Sequence, residues 1–197
     1  MRNRIILIIC VFVVSVLQAQ PNPQSKKITK KFFPDSESLL PITPALKKKR
    51  GYTNYKELIN FIDQLKESHP SVVSIQYIGE SQKGYNIPVV HIKTSNSSEK
   101  IKIWMQAGLH GNEPAGTEGL LYYMYSILND ATYDKLLDGV DLLILPMANI
   151  DGYLKDNRYA ANGLDLNRDQ TKLMAPETRL IKKVFTDFNA HVGLDFR

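Results

Sequence analysis

Residues 101–116 have the sequence Ile-Lys-Ile-Trp-Met-Gln-Ala-Gly-Leu-His-Gly-Asn-Glu-Pro-Ala-Gly. The apolar start of this segment predicts a buried strand that ends at Gly108. Pro114 is typical of the first turn of a helix. The pattern therefore predicts that His110 and Glu113 lie in the turn between a strand and a helix. An imidazole and a carboxylate three residues apart in such a turn form a plausible half of a zinc site.

The same turn belongs to a predicted βαβ unit. Residues 114–128 carry apolar side chains at helical spacing, and residues 141–145, Asp-Leu-Leu-Ile-Leu, predict another buried strand. A strand, a helix and a strand in this order place two parallel strands in one sheet. Two earlier β-branched runs, 72–78 and 87–92, flank a turn and predict a hairpin. The sequence therefore predicts an α/β fold with a mixed, mostly parallel central sheet and flanking helices.

Length and composition favour one globular domain preceded by an export signal. The chain has 197 residues, of which 43% are hydrophobic and 23% are charged, which is enough to form a core. Residues 1–19 combine two arginines, an apolar run and a final small residue, which is the pattern of a secretory signal peptide. An uncleaved membrane anchor is the alternative, but the run is short for a span. We expect export to the periplasm or the extracellular space, without stable membrane association after cleavage.

The single cysteine, Cys10, lies within the predicted signal peptide. The mature chain would therefore have neither disulfide bonds nor thiolate ligands. Any metal ion would have to be bound by histidine, aspartate or glutamate.

Residues 20–50 contain five prolines and two basic clusters and predict an extended leader or linker. The formal net charge of +5 would fall to +3 if Arg2 and Arg4 were removed with the signal peptide. We interpret the clusters as solvated and predict no nucleic-acid partner, because no aromatic-basic motif accompanies them. The clusters comprise Lys26, Lys27, Lys30, Lys31, Lys47, Lys48, Lys49 and Arg50.

The domain is predicted to span 51–197, with Thr53 as the N-cap of its first helix.

A long polar connection follows the predicted strand at 141–145. Ligands in α/β sheets bind at the carboxyl ends of the strands, so this connection should face His110 and Glu113. Arginine binds carboxylates through paired hydrogen bonds and, near a metal, can stabilise a developing oxyanion. A turn-rich surface loop is the alternative interpretation. The polar residues of interest are Asn149, Asp151, Arg158, Asn167 and Arg168.

Three motifs stand in order along this part of the chain. They are Gly-Leu-His-Gly-Asn-Glu-Pro at 108–114, Asn-Ile-Asp-Gly at 149–152, and Arg-x-x-x-Asn-Gly-Leu-Asp-Leu-Asn-Arg at 158–168. Each alone is weak evidence, but together they resemble the zinc carboxypeptidase family, the carboxypeptidase A-like metallopeptidases. The resemblance covers about residues 50–197.

The resemblance implies roles for five residues. His110 and Glu113 would be two of the three protein ligands of one zinc ion. Arg158 would polarise the scissile carbonyl and stabilise the oxyanion. Asn167 and Arg168 would bind the terminal carboxylate of a peptide or protein, which makes the enzyme a carboxypeptidase. Zinc would activate a water molecule, with a glutamate as the general base.

The chain departs from this family pattern at its end. The family's third zinc ligand is a histidine just past the strand that residues 192–196 match, and Arg197 occupies that place. Arginine cannot bind zinc because its guanidinium stays protonated, and His191 precedes the strand. The third ligand would stand at or just beyond position 197, and the general base would lie beyond it. We therefore expect a partial domain, incomplete at its C-terminus and inactive alone; a complete but degenerate protein is the alternative.

Two other functions remain open at this point. The chain could be a non-catalytic protein that binds peptide C-termini through Asn167 and Arg168. It could also be a related zinc amidohydrolase that acts on a non-peptide amide. Both alternatives retain the same candidate residues but differ in the chemistry.

Overall fold

The computed structural model describes residues 25–32, 40–94 and 99–197. Leu40–Arg197 forms one compact unit, and helix α1 (Lys26–Phe32) belongs to the unit before it. The predicted signal peptide, residues 1–19, lies outside the described residues. Helix α1 lies within residues 20–50, which the sequence predicts to be extended. The helix forms there because lysine has a good helix propensity and no proline interrupts residues 26–32. No helix in the described part of the chain is long and apolar enough to span a membrane.

One sheet of five strands, in the order β1-β2-β4-β3-β5, forms the centre of the larger unit. Strand β2 pairs antiparallel with β1 and β4, whereas β3 pairs parallel with β4 and β5. Four of the five strands, all except β2, therefore run in the same direction. The predicted hairpin, the βαβ unit and the mixed, mostly parallel sheet are confirmed. The strands are β1 (Val73–Glu80), β2 (Asn86–Lys93), β3 (Ile101–Ala107), β4 (Val140–Leu145) and β5 (Val192–Phe196).

Helices cover both faces of this sheet. Trp104 of β3 packs edge-to-face on Phe185 of the helix Pro176–Phe188, with their ring centroids 5.8 Å apart. Ala107, three residues later and so on the opposite face, meets Gly116 of the helix Pro114–Asn129. Strand β4 lies between β2 and β3 and is buried along its whole length, whereas β5 forms an exposed edge. The helices are α2 (Tyr55–Ser68), α3 (Pro114–Asn129), α4 (Asp134–Gly139, after a 3-10 turn at Ala131–Tyr133), α5 (Ile150–Tyr153) and α6 (Pro176–Phe188).

The start of α2 differs from the prediction. Asn54, not Thr53, is the N-cap: its side chain accepts a hydrogen bond from the Glu57 N–H, and the Glu57 carboxylate accepts one from the Asn54 N–H. Thr53 is buried instead, and its N–H and hydroxyl donate to Glu118 of α3 at 2.6 and 2.8 Å. Glu118 thus attaches the start of the domain to the helix that follows the candidate metal turn.

Candidate metal and substrate site

The turn after β3, residues 108–113, brings His110 and Glu113 together, and we call it the His-Glu turn. Gly108 has a φ of +67°, which glycine adopts readily, and it directs the chain out of the sheet. Glu113 is the N-cap of α3, but its carboxylate makes no capping hydrogen bond. The carboxylate turns towards the imidazole instead, and Oε2 lies 3.0 Å from Nδ1 of His110.

The other imidazole nitrogen of His110 faces Asp165. Nε2 lies 3.2 Å from Oδ1 of Asp165, and the histidine is only 2% exposed. A histidine that binds a metal through one nitrogen usually donates its second N–H to a carboxylate or carbonyl. Sequence reasoning gave Asp165 no role, although its place two residues before Asn167 in the third motif was the available signal.

The chemistry of these donors fits one side of a zinc site. Imidazole nitrogen and carboxylate oxygen are zinc ligands, and two such donors on a tetrahedral ion lie about 3.3 Å apart. The 3.0 Å separation of Nδ1 of His110 and Oε2 of Glu113 is close to that value. Within residues 25–32, 40–94 and 99–197, no three His, Cys, Asp or Glu side chains converge to hold a metal ion. The described residues therefore provide two donors, which is half of a site.

Arg158 bridges the two acids of this cluster. Its Nε and Nη2 donate to Oδ2 of Asp165 at 3.2 and 3.0 Å, and Nη1 lies 3.5 Å from Oε1 of Glu113. Burial raises the pKa of Asp165, but hydrogen bonds from Arg158, the Asn167 N–H and His110 outweigh burial and hold the pKa below its ordinary value. Asp165 is therefore ionised at neutral pH and keeps the guanidinium beside the His-Glu turn.

Residues 149–169, which we call the polar loop, pack directly against the His-Glu turn. The fully buried Asn149 donates from Nδ2 to the carbonyl oxygens of Leu109 and Arg158 at 3.4 and 3.3 Å. A Cβ at Gly111 would lie 2.1 Å from the carbonyl carbon of Gly152. The backbone of the His-Glu turn can therefore lie this close to the polar loop only because residue 111 is glycine. These contacts account for Asn149 and Gly152 of the Asn-Ile-Asp-Gly motif, which position the loop that carries Arg158 and Arg168.

Asn167 and Arg168 lie in the same loop, beyond Asp165. The Asn167 N–H donates to Oδ1 of Asp165, and the Arg168 N–H donates to its carbonyl oxygen, both at 2.9 Å. The Arg168 side chain is exposed and has no hydrogen-bond or ion-pair partner among the described residues. Oδ1 of Asn167 instead accepts a hydrogen bond from Nη2 of Arg197 at 2.8 Å. An unpaired guanidinium is thus available to an anion from solvent.

Two further histidines, His91 and His191, make hydrogen bonds away from the His-Glu turn. Nε2 of His91 lies 2.5 Å from Oδ1 of Asp141, whose other oxygen pairs with Lys93 at 3.2 Å. Nδ1 of His191 accepts a hydrogen bond from the N–H of Lys102, near the start of β3, whereas His110 follows the end of that strand. His191 therefore lies at the opposite end of β3 from the His-Glu turn.

Comparison with known proteins points to one family. A family model described as zinc carboxypeptidase matches residues 58–192, which include the His-Glu turn and the polar loop. The chain belongs to the zinc carboxypeptidase family. The resemblance predicted from the three motifs is thereby confirmed.

Individual zinc carboxypeptidase relatives match only part of their own length. The probable carboxypeptidase 2 of Arthroderma benhamiae is 35% identical over 152 residues, which cover 74% of this chain and 29% of that protein. The carboxypeptidase A from Helicoverpa armigera superposes with a TM-score of 0.67 at 24% identity, over 72% of this chain and 44% of that one. A metallo-carboxypeptidase from Pseudomonas aeruginosa superposes with a TM-score of 0.60 at 22% identity, over 72% and 38%. These structures show that the fold is shared.

Asp169 joins the polar loop to α6. Its Oδ1 accepts from the N–H of Met174 at 2.9 Å, and its Oδ2 accepts from the N–H of Ala175 at 2.8 Å and the hydroxyl of Thr178 at 2.7 Å. Burial raises the pKa of Asp169, but these three hydrogen bonds outweigh burial and lower the pKa below its ordinary value. The carboxylate therefore stabilises the folded state in its ionised form.

Asp169→Asn should destabilise the protein by about 1–3 kcal/mol at pH 7, because buried donors lose a charged acceptor. A depressed pKa contributes stability that is present above the unfolded-state pKa, about 3.9, and is lost as pH falls through the folded-state value. The difference between variant and parent should therefore shrink towards pH 3 in urea unfolding. Asp187→Asn, at an exposed aspartate that pairs with Lys183, is the control. If Asp169→Asn lowered the free energy of unfolding equally at pH 7 and pH 3, this account would be contradicted.

Proposed function

We propose that this chain carries the zinc-binding pair and the carboxylate-binding loop of a metallocarboxypeptidase that removes C-terminal residues from peptides. The observation that supports this most directly is the cluster around His110, which has Glu113 at one nitrogen and Asp165 at the other. Arg158 contacts both acids, so a cationic donor stands beside the metal ligands. Family membership supports the same reaction class.

In the proposed site, His110 and Glu113 hold the metal, and Asp165 keeps the imidazole in the required orientation. Zinc, when bound, supplies an activated water and polarises the scissile carbonyl. Arg158 is a hydrogen-bond donor beside this centre, where an oxyanion would develop. Its half-exposed guanidinium, held by Asp165 on one side, can reach a substrate carbonyl on the other.

Exopeptidase selectivity would come from the polar loop. Arg168 has an exposed guanidinium without a partner in the described part of the chain, and arginine binds carboxylates through two parallel hydrogen bonds. Together with the side-chain amide of Asn167, it would bind the terminal carboxylate of the substrate. This contact would place the last peptide bond over the His-Glu turn, and such positioning is a large part of catalysis.

Zinc alone should bind this chain weakly, because catalytic zinc sites use three protein ligands and only two donors converge among the described residues. Calorimetry should show that His110→Ala and Glu113→Ala abolish the binding, and that Asp165→Asn weakens it by about 10-fold or more. His191→Ala, at a histidine beside Lys102, should leave it unchanged.

For the same reason we expect no peptide hydrolysis by the purified chain. A tight one-to-one zinc complex, or hydrolysis that a chelator abolishes, would show that a third donor exists and would contradict the half-site.

The acetylated peptide Gly-Gly-Phe should bind more tightly with a free C-terminal carboxylate than as its C-terminal amide. Arg168→Gln should remove most of this preference, about 10-fold or more, because a hydrogen bond to a charged group contributes about 1.5–3 kcal/mol. NMR titration of both peptides measures the ratio. Arg50→Gln, at an exposed arginine before α2, removes the same charge and should leave the ratio intact. Equal affinities for acid and amide would refute the carboxylate site.

Export is part of the same proposal, because residues 1–19 have the pattern of a cleaved signal peptide. The remaining chain would comprise a basic linker over 20–50 and the carboxypeptidase-like domain over 51–197. N-terminal sequencing of the protein recovered outside the cytoplasm should begin at Gln20. A product that retains Met1 would argue for an uncleaved anchor.

A further inference from the structure

We propose that Arg197 positions the side-chain amide of Asn167 for substrate binding, at the end of a hydrogen-bond chain that begins at Trp104. The inference rests on the proposed function, in which Asn167 binds the terminal carboxylate of a peptide. Arg197 stands where the family pattern has a metal ligand, and an arginine cannot serve as one. Its contacts point to a different use of this position.

The hydrogen-bond chain crosses from β3 to β5 and then to the polar loop. Nε1 of Trp104 donates to Oε1 of Gln106 at 3.0 Å, and Nε2 of Gln106 donates to Oδ1 of Asp195 at 3.4 Å. Asp195 lies opposite Gln106 in the parallel pairing of the two strands. Nε of Arg197 donates to Oδ2 of Asp195 at 2.8 Å, and Nη2 donates to Oδ1 of Asn167 at 2.8 Å.

The direction of each hydrogen bond in this chain is determined by chemistry. The indole of Trp104 and the guanidinium of Arg197 can only donate, and the carboxylate of Asp195 can only accept. Asp195 therefore receives hydrogen bonds from both sides, and Arg197 has a donor left for the next group. The hydrogen-bond chain begins at Trp104, whose side chain is 3% exposed, so the core holds its first member.

The same chemistry decides which way the Asn167 amide points. The oxygen and nitrogen of an asparagine amide are assigned from their partners, and a guanidinium requires the oxygen. Oδ1 of Asn167 must then face Arg197, which leaves Nδ2 on the other side, without a partner among the described residues. A carboxylate accepts hydrogen bonds and does not donate them. The NH2 group is the half of the amide that a substrate carboxylate needs.

The planar fork of Arg197 is essential to this arrangement. It spans Asp195 and Asn167 at once, because Nε and Nη2 both reach Oδ2 of Asp195, at 2.8 and 2.7 Å, while Nη2 also reaches Asn167. A lysine would place the same charge nearby but as a single ammonium group, which lacks the fork geometry. Arg197→Lys therefore separates positioning from charge, and Arg197→Gln removes both.

The first experiment measures the Asn167 amide without any ligand. The ¹⁵N side-chain signal of Asn167, assigned with Asn167→Asp, should show a rigid NH2 group in the parent chain. It should become mobile in Arg197→Gln, Arg197→Lys and Asp195→Asn. Lys183→Gln removes one charge at an exposed lysine of α6 that pairs with Asp187, not with Asn167, and should change nothing. An Asn167 amide that stays as rigid in Arg197→Gln as in the parent would overturn the inference.

The second experiment repeats the titration with the acetylated Gly-Gly-Phe acid and amide. Both Arg197 variants should lower the acid-to-amide affinity ratio by about 10-fold, the loss expected for one charge-assisted hydrogen bond. A parent-like ratio in Arg197→Lys would show that charge alone matters and would refute positioning. If Asn167→Ala and Arg168→Gln lose the preference for the acid and both Arg197 variants keep it, this inference fails and the proposed function stands. If the parent chain itself shows no preference for the acid, both fail.

Discussion

The carboxylate of Asp165 is the group around which the candidate site is arranged. It accepts hydrogen bonds from Nε2 of His110, from the guanidinium of Arg158 and from the N–H of Asn167. Two of these contacts orient the side chains of His110 and Arg158, and the third holds the backbone at Asn167. Because Arg158 and the Asn167 N–H keep the carboxylate ionised, it can fix the imidazole with Nδ1 directed at Glu113. Protein contacts alone thus orient the candidate donor pair of His110 and Glu113.

This arrangement depends on two loops that meet at the same edge of the sheet. Strands β3 and β4 are parallel neighbours, so the turns that follow them emerge side by side. The backbone N–H groups of Ala148 and Asn149 donate to the carbonyl oxygens of Ala107 and Gly108, both at 2.9 Å, and extend the pairing beyond the strands. The close approach of Gly111 to the polar loop then sets how near Arg158 comes to the His-Glu turn.

The third strand end at this edge supplies Arg197. β5 runs parallel to β3, so Arg197 reaches the same edge as His110. Its guanidinium bonds to Asp195 and Asn167, so it contacts the polar loop rather than the His-Glu turn. The site therefore has two halves of different character: an imidazole with two carboxylates, and a set of donors suited to an anion.

The sequence by itself determined the strand–turn–helix element with His110 and Glu113, because apolar runs, Gly108 and Pro114 act on the backbone within a few residues. It also determined the family, because three motifs occur in order. Tertiary structure alone decided that Asp165 contacts His110, 55 residues away, that Glu118 binds Thr53, 65 residues away, and that Arg197 bonds to Asn167, 30 residues away. Local patterns carry no record of such pairs, since they form only when separate segments pack together and each buried polar group must find a partner.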